Sequence, residues 1–487
     1  MAGIAGIFGS SVQREDALRM LEKIKHRGPN TLSTCYKNGL CAGVVASKLS
    51  ESRGNGLARE ADIAVLFDGE IYNKRSEGQS DAAVVLKFYK KYGRIFPGYL
   101  EGVFACAVYD GRELLLARDS IGVRPLYFGK TRGGSVCFAS EMKALAGIAK
   151  EVAELHPSTT FSTSNGISKF LPLFGDVYLP SSAKEAADKL RQHIVEAVER
   201  RLADNAIGAC LLSGGLDSSI IASVAHKIQP NLLMVTVGTE GAPDMKNAEL
   251  MTEYLGAKHH VYIYGTEQIK QIIRQAIYAL ESFDEDCVSG AIANLFASAR
   301  AANHTNCILS GEGGDELFGG YHLLKGLPTE FERLKMMDRL IAIAYNTAVQ
   351  RLDRAMMANS INYRTPFLDT KVIAYAMQLP VQWKVHDNGN GRLIEKWILR
   401  EAFKDMLPEE ICSRQKLRFS GGTGTDDLMD AIMAEEVDAG GFKQETCTTE
   451  CGYRLNSLKE LWYYKLFKEK FPSPDFEKLV GRWDPYK

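Results

Sequence analysis

The sequence predicts a mixed α/β protein in two parts: an antiparallel, strand-rich first third, then a parallel sheet wrapped in helices. Three observations carry this reading. Residues 1 to about 165 break into short apolar runs separated by Gly, Asp and Asn turns. From Pro180 onward, apolar strands alternate with helical segments, the pattern of a parallel sheet with helices on both faces. The remainder to Lys487 is helical in pattern.

In the first part the strands are CAGVVA, ADIAVLFDGEIYN, VFACAVYD, ELLLARD, PLYFG and SVCFAS, with helical periodicity confined to REDALRMLEKIKHRG and SDAAVVLKFYKKYG. Pro180 and two serines then precede AKEAADKLRQHIVEAVERRL, a start signal for a long amphipathic helix. Beyond it GACLLSGG leads into LDSSIIASVAHKI and LLMVTVG into KNAELMTEYLG, followed by HHVYIY and NCILSGEGG.

At 487 residues the chain is too long for one core. Its 59 Lys+Arg against 60 Asp+Glu leave almost no net charge, which argues against a general affinity for nucleic acid or anionic membrane. No run reaches the roughly 18–20 apolar residues of a membrane span, and no basic-then-apolar secretory signal opens the chain. Of the ten cysteines, Cys106, Cys137 and Cys210 lie inside apolar runs and read as buried small hydrophobes of a reducing compartment. Cys447 and Cys451 have no second Cys or His pair nearby, so zinc is not expected there. A cytoplasmic protein is expected.

The most informative stretch is LLSGGLDSSIIA, Leu211 to Ala222. A buried strand runs into Ser213-Gly214-Gly215, and Asp217, Ser218 and Ser219 begin a helix. Adjacent glycines let successive N–H groups point into one concavity, and the helix N-terminus adds partial positive charge. Such a nest suits pyrophosphate or polyphosphate; the Gly-Lys-Ser/Thr ending of a Walker loop is absent. The plainer alternative is a strand–turn–helix joint with an Asp/Ser cap. A second loop, SGEGGDELFGGY from Ser310 to Tyr321, also follows an apolar strand and brackets Glu312, Asp315 and Glu316 with glycines. Two such strand ends in one sheet place Asp217 and Asp315 around one Mg²⁺ bridging phosphate oxygens. The alternative for this loop is a solvated acidic turn.

SGGLDSS, VTVGTEGAPDMKNAE and SGEGGDELFGGY together resemble the synthetase domain of the asparagine synthetase family, and RLDRAMMANSINYRTPFLD and RQKLRFSGGTG continue the resemblance. HRGPN, FDGEIYN, LLARDSIGVRPLYFG and FASEMKAL resemble the family's class II glutamine amidotransferase domain, so nearly the whole chain is covered. The resemblance implies an αββα sandwich of antiparallel sheets over residues 1–165, of the type that carries N-terminal nucleophiles. It implies a PP-loop ATP pyrophosphatase domain with a helical C-terminal part over residues 180–487. It also implies a homodimer, and the cofactors ATP and Mg²⁺.

The implied chemistry is attack of a carboxylate on the α-phosphorus of ATP, release of pyrophosphate, and displacement of AMP by ammonia or another amine. On that resemblance Ser213, Gly214, Gly215, Asp217 and Ser218 hold pyrophosphate, and Leu212, Val237, Ser310 and Gly311 cradle adenosine. Lys416 matches the lysine that neutralises charge at the α-phosphate, and Glu281, in ALESFDED, the glutamate that takes a proton from the amine. Read without the resemblance, Lys416 is a solvated surface lysine, and Glu281 is as readily an exposed helix-end acid as a catalytic one. One departure concerns the acceptor: Ser289 stands roughly where the family carries an arginine suited to a substrate carboxylate, which puts aspartate in doubt.

The glutamine site departs further. Ala2 occupies the place of the family's nucleophilic Cys, and a methyl group cannot attack. Asp68 replaces an oxyanion-hole Asn, and Lys48 replaces the arginine that clamps the glutamine carboxylate. Gly69, Glu70 and Asp81 still match glutamine-site positions. Either Ala2 is an engineered Cys replacement, or the site has decayed, which explains three departures with one cause. The expected activity is an ATP-dependent amide synthetase, a ligase without glutaminase turnover. The alternatives are intramolecular ring closure, as in β-lactam synthetases, and a non-catalytic regulator that binds nucleotide or glutamine.

Overall fold

Period-two alternation along the first strand sets the layer order of the N-terminal part. A computed structural model describes residues 2–47, 53–74, 76, 78–172, 180–436 and 447–483. Its first twelve strands are β1 (Ala2–Phe8), β2 (Thr31–Lys37), β3 (Leu40–Ala46), β4 (Leu57–Glu60), β5 (Ile63–Ile71), β6 (Gly102–Tyr109), β7 (Leu114–Arg118), β8 (Tyr127–Thr131), β9 (Val136–Ala139), β10 (Ala149–Glu154), β11 (Thr159–Ser162) and β12 (Gly166–Lys169). They form two six-stranded sheets, ordered β10-β8-β9-β1-β3-β2 and β12-β11-β7-β6-β5-β4. Each pairing is antiparallel.

Ala2 and Ile4 point between the sheets, where they meet Leu66, Ala105, Ala107 and Leu116 of the facing sheet. Ala5 and Ile7 point the other way, into the core that holds Met20 and Leu21 of helix α1 (Arg14–Lys23). On the second sheet Val65, Phe67, Phe104 and Cys106 turn outward onto Ala82, Val84 and Val85 of α2 (Asp81–Tyr92). The result is helix, sheet, sheet, helix, the layering the sequence predicts. The sheet interior is tight: a Cβ at Gly6 would lie 2.3 Å from that of Ala42.

The second part opens with α3 (Ala183–Leu202), where Ser182 Oγ accepts a hydrogen bond from the Glu185 N–H at 3.2 Å. A five-stranded parallel sheet follows, built from β13 (Ala209–Leu211), β14 (Leu233–Gly238), β15 (His259–Ile263), β16 (Cys307–Leu309) and β17 (Asn362–Arg364). The helices around it include α4 (Leu216–Ile228), α5 (Pro243–Leu255), α6 (Thr266–Leu280), α7 (Glu285–Ala301), α8 (Gly314–Phe318), α9 (Glu330–Ile343) and α10 (Ala348–Met357). Strand order is β15-β14-β13-β16-β17. The chain therefore winds outward from β13 in one direction and from β16 in the other. The crevice at their carboxyl ends is where such sheets bind ligands.

Buried charge joins the two parts. Arg27, Arg124, Lys143 and Arg354 face Asp68, Glu141, Glu281 and Asp353, every one at most 1% exposed. Asp353, on α10, accepts from Arg27, Arg124 and Arg354 and from the Tyr363 hydroxyl. Four cations balance four carboxylates, which is what lets the group lie out of water. All ten cysteines are free, with Cys106, Cys137 and Cys210 buried. No helix among the described residues is long and apolar enough to cross a membrane.

Candidate active site

The loop after β13 folds on itself before α4 begins. Ser218 Oγ accepts from the Ser213 N–H at 3.2 Å and donates to the Gly215 carbonyl at 3.1 Å, while the two serine hydroxyls lie 3.0 Å apart. Gly214 has φ +68°, and a Cβ there would lie 2.4 Å from the Ala248 nitrogen, so both conformation and space require glycine. Arg414 donates to the Gly214 carbonyl at 2.9 Å and pairs with Asp244, bringing a guanidinium to the rim. Ser213, Gly215, Asp217, Ser218, Lys396, Arg400, Arg414 and Lys416 line a cavity of about 60 Å³. Four cations, Lys396, Arg400, Arg414 and Lys416, and two acids, Asp217 and Asp244, share its walls.

The loop after β16 brings Asp315 opposite Asp217, as the sequence reading expects. A lysine lies between them. Lys396 Nζ is 2.6 Å from Asp315 Oδ1 and also pairs with Asp217, and its side chain is 2% exposed. Lys416 Nζ reaches Asp315 Oδ2 at 2.7 Å. Burial alone would raise Asp315, but Lys396 and Lys416 hold its carboxyl well below the usual carboxylate range. Burial leaves Asp217 above that range despite Lys396. Burial would lower the Lys416 ammonium, yet Asp315 and Asp217 carry it above the usual lysine range, so it stays charged. Its backbone is pinned as well, the N–H donating to Glu395 at 3.0 Å and the carbonyl 2.7 Å from His322 Nε2.

Asp217 Oδ1 is buried and lacks a hydrogen-bond partner among the described residues. An orphaned carboxylate oxygen facing a second carboxylate fits a hard divalent cation. No group of three or more His, Cys, Asp or Glu side chains is placed to hold a metal among the described residues, so Mg²⁺ would complete its shell with phosphate oxygens and water.

Leu212, Val237, Ser310 and Gly311 share the walls of an adjoining 110 Å³ cavity with Ser213, Asp217, Ser218, Asp315 and Lys416. The structure thus gathers the predicted phosphate, adenosine and lysine positions into one cleft. Glu312, Asp315, Arg351, Lys416 and Phe419 also line a further 270 Å³ space that reaches Tyr321, His322 and Trp483. Sequence reasoning missed Lys396, Arg414 and Arg351. A lysine before an amphipathic helix and arginines in a loop or on a helix carry no pattern of their own. Ser289 is buried and outside the cleft's lining, whereas Arg351 from α10 enters the cleft. A Cβ at Gly290 would lie 2.7 Å from Arg351 Cδ, so that glycine clears the way.

Glu281 is not in the cleft. It is fully buried at the end of α6 with φ +59°, and this left-handed turn aims its carboxylate at the N-terminal part. There it accepts from the Met142 and Lys143 N–H groups at 3.1 and 2.7 Å and from Arg354 at 3.0 and 3.2 Å. With its lone pairs committed, Glu281 acts here as a counter-ion of the interface. The expectation of a proton acceptor in the cleft is corrected accordingly. Sequence spacing locates the acid but not the turn that redirects it.

Comparison with known proteins bears on the whole chain. Residues 189–342 and 328–476 match the family model described as asparagine synthase, and residues 1–165 match the glutamine amidotransferase domain model. Asparagine synthetase B [glutamine-hydrolyzing] of Escherichia coli (strain K12) is 31% identical over 522 residues, covering 99% of this chain and 93% of that protein. The asparagine synthetase of Zea mays is 30% identical over 521 residues, covering 100% and 89%. Asparagine synthetase 1 of Arabidopsis thaliana is 32% identical over 515 residues, covering 97% and 86%.

The chain belongs to the asparagine synthetase family.

In this member of the asparagine synthetase family a small cavity also lies in the N-terminal part. Ala2, Gly69, Glu70 and Asp81 come together around a space of about 20 Å³, also lined by Arg53 and Asn362. That is room for about one water molecule. Arg53 lies 3.6 Å from Asp81 and 2.9 Å from Asp204, and Arg364 grips Glu70 at 2.8 Å. Burial alone would raise Glu70, but Arg364 and Arg53 bring it down to about 2. Asp68 sits behind this space. Its Oδ1 accepts from the Ala2 N–H at 3.2 Å and its Oδ2 from Arg27 at 3.0 Å. Asp68 thus presents acceptor oxygens, paired with Arg27, and no donor. Lys48 lies outside the described residues.

Proposed function

We propose that this family member is an ATP-dependent, AMP- and pyrophosphate-forming amide synthetase that adenylates a carboxylate and transfers ammonia or another amine to it. In this reading residues 1–165 are a class II glutamine amidotransferase-like domain and residues 180–487 the synthetase. The observation that carries it is the convergence of the Ser213–Ser218 loop, the Asp217 and Asp315 carboxylates and Lys416 on one cleft that opens into a second-substrate space.

The loop amides, Ser213, Ser218 and Arg414 hold the two outer phosphates, and Leu212, Val237, Ser310 and Gly311 hold adenosine. Mg²⁺, held by Asp217 and Asp315, would supply charge neutralisation at the phosphate oxygens. A carboxylate oxygen of the acceptor bonds to the α-phosphorus as the bond to pyrophosphate breaks, and Lys416 offsets the charge that builds there. The amine nitrogen then attacks the acyl carbon, AMP leaves, and the amine gives up a proton. Glu312 faces this space, and burial pushes its carboxyl above the usual range, which suits a proton acceptor. With Ala2 in place of a nucleophile and Asp68 in place of a donor, ammonia comes from solution rather than from glutamine.

The test is pyrophosphate release from ATP across a panel of amino acids, with ammonium or glutamine as nitrogen source. Ammonium is expected to support turnover with at least one acid, glutamine to give background, and Lys416→Ala to lower kcat by about 100-fold or more. Glutamine matching ammonium, or no acid supporting release, overturns the reading. Ala2→Cys alone is expected to leave glutaminase activity at background, because Asp68 is unchanged.

A further inference from the structure

The place between Asp217 and Asp315 is already taken. Lys396 Nζ pairs with both carboxylates, and Gly320 makes room for its stem: a Cβ at 320 would lie 2.3 Å from Lys396 Cε. Lys396 also holds φ +53°, a conformation uncommon for a side-chain-bearing residue. With Lys416 on the far oxygen of Asp315, two ammonium groups balance two carboxylates.

Resting on the reading of these aspartates as the cation-bearing pair, we propose that Lys396 is a built-in counter-ion that closes the site to a free divalent cation until polyphosphate arrives. Two buried carboxylates this close need a cation between them. An ion arriving alone must evict an ammonium that has nowhere better to go. A polyphosphate changes that balance, because Lys396 also lines the cavity it shares with Ser213, Gly215, Ser218 and Arg414. Phosphate oxygens there accept the ammonium, and the aspartates are released to the incoming ion. Nucleotide and metal binding are therefore coupled through one side chain, each raising the affinity for the other.

The probe is Mn²⁺, followed by electron paramagnetic resonance of the free ion, with and without α,β-methylene-ATP, which cannot be cleaved at the α-phosphorus. Wild-type protein is expected to take up Mn²⁺ with the analogue and to bind it at least about tenfold more weakly without. Lys396→Met is expected to bind Mn²⁺ without nucleotide about tenfold or more tighter than wild type. Lys396→Gln keeps hydrogen-bond donors between the acids should the methionine variant not fold, and is expected to behave likewise. Adding Asp217→Asn to either variant should abolish the gain. Equal Mn²⁺ affinity of the wild type with and without analogue overturns the proposal, as does a folded variant with no gain. Wild type that binds Mn²⁺ in neither condition overturns the nucleotide reading as well.

Discussion

Ser289 stands roughly where the family resemblance calls for an arginine, yet a guanidinium, that of Arg351 on α10, does line the 270 Å³ space proposed for the acceptor. Its Nε is buried and unpartnered among the described residues, and its contacts to Glu312 and Asp286 are long, 3.3 and 4.0 Å. A cation held this loosely is available to an acceptor carboxylate. Arg351→Ala is expected to raise the KM for the acid by about tenfold or more, the scale of one charge-assisted hydrogen bond, and to leave the KM for ATP within about twofold. Pyrophosphate-release kinetics in both substrates check this, and equal rises in the two constants would show a merely structural role. Asp217 and Asp315 were legible in strand–glycine–acid runs, which have few other uses, and Lys416 only through the family resemblance of RQKLRF. Arg351 and Lys396 were not, because a charged residue beside amphipathic helix pattern reads as solvated surface.

At the scale of elements, α10 serves two places at once. Arg351 faces the cleft, whereas Asp353 and Arg354 face the N-terminal sheets. Asp353→Ala would leave Arg124 without its carboxylate partner in the buried interface and take one of three from Arg27. It is expected to cost about 3–5 kcal/mol of stability, read by denaturant unfolding monitored by circular dichroism. A loss below about 1 kcal/mol would mean that water reaches the cluster. The longer strands were readable as apolar runs between turn residues, and α3 from its Pro180-Ser-Ser start. β13, β16 and β17 have three residues each, too few for a period, and the first two show only through the glycine loops that follow them. The turn that swings Glu281 away from the cleft is set by packing against residues more than a hundred positions earlier, which no local window contains.

At the scale of the whole molecule, the two parts are tied by ion pairs at more than one place. Arg364 of β17 holds Glu70 of β5, and Asp204 beyond α3 holds both Arg364 and Arg53. Glu70 has a folded-state value near 2 against an ordinary 4.5. Its contribution is complete above about pH 4.5 and is lost as the pH falls toward 2. From the shift it amounts to about 3 kcal/mol at neutral pH. Glu70→Gln is expected to lower Tm at pH 7 and to flatten the fall of Tm between pH 4.5 and 2.5, seen by calorimetry across that range. An unchanged acid limb would move the loss of stability to other carboxylates.

The eight charges at the junction also constrain how such a chain can be rearranged. Cut near residue 180, the first fragment would keep Arg27, Arg124 and Lys143 with only Asp68 and Glu141, and the second Asp353 and Glu281 with only Arg354. One fragment carries a surplus cation, the other a surplus anion, each on a surface shaped for contact rather than for solvent. Neither is a self-sufficient building block. A chimera that borrows one of them from a relative would have to import its partners at the seam as a matched set.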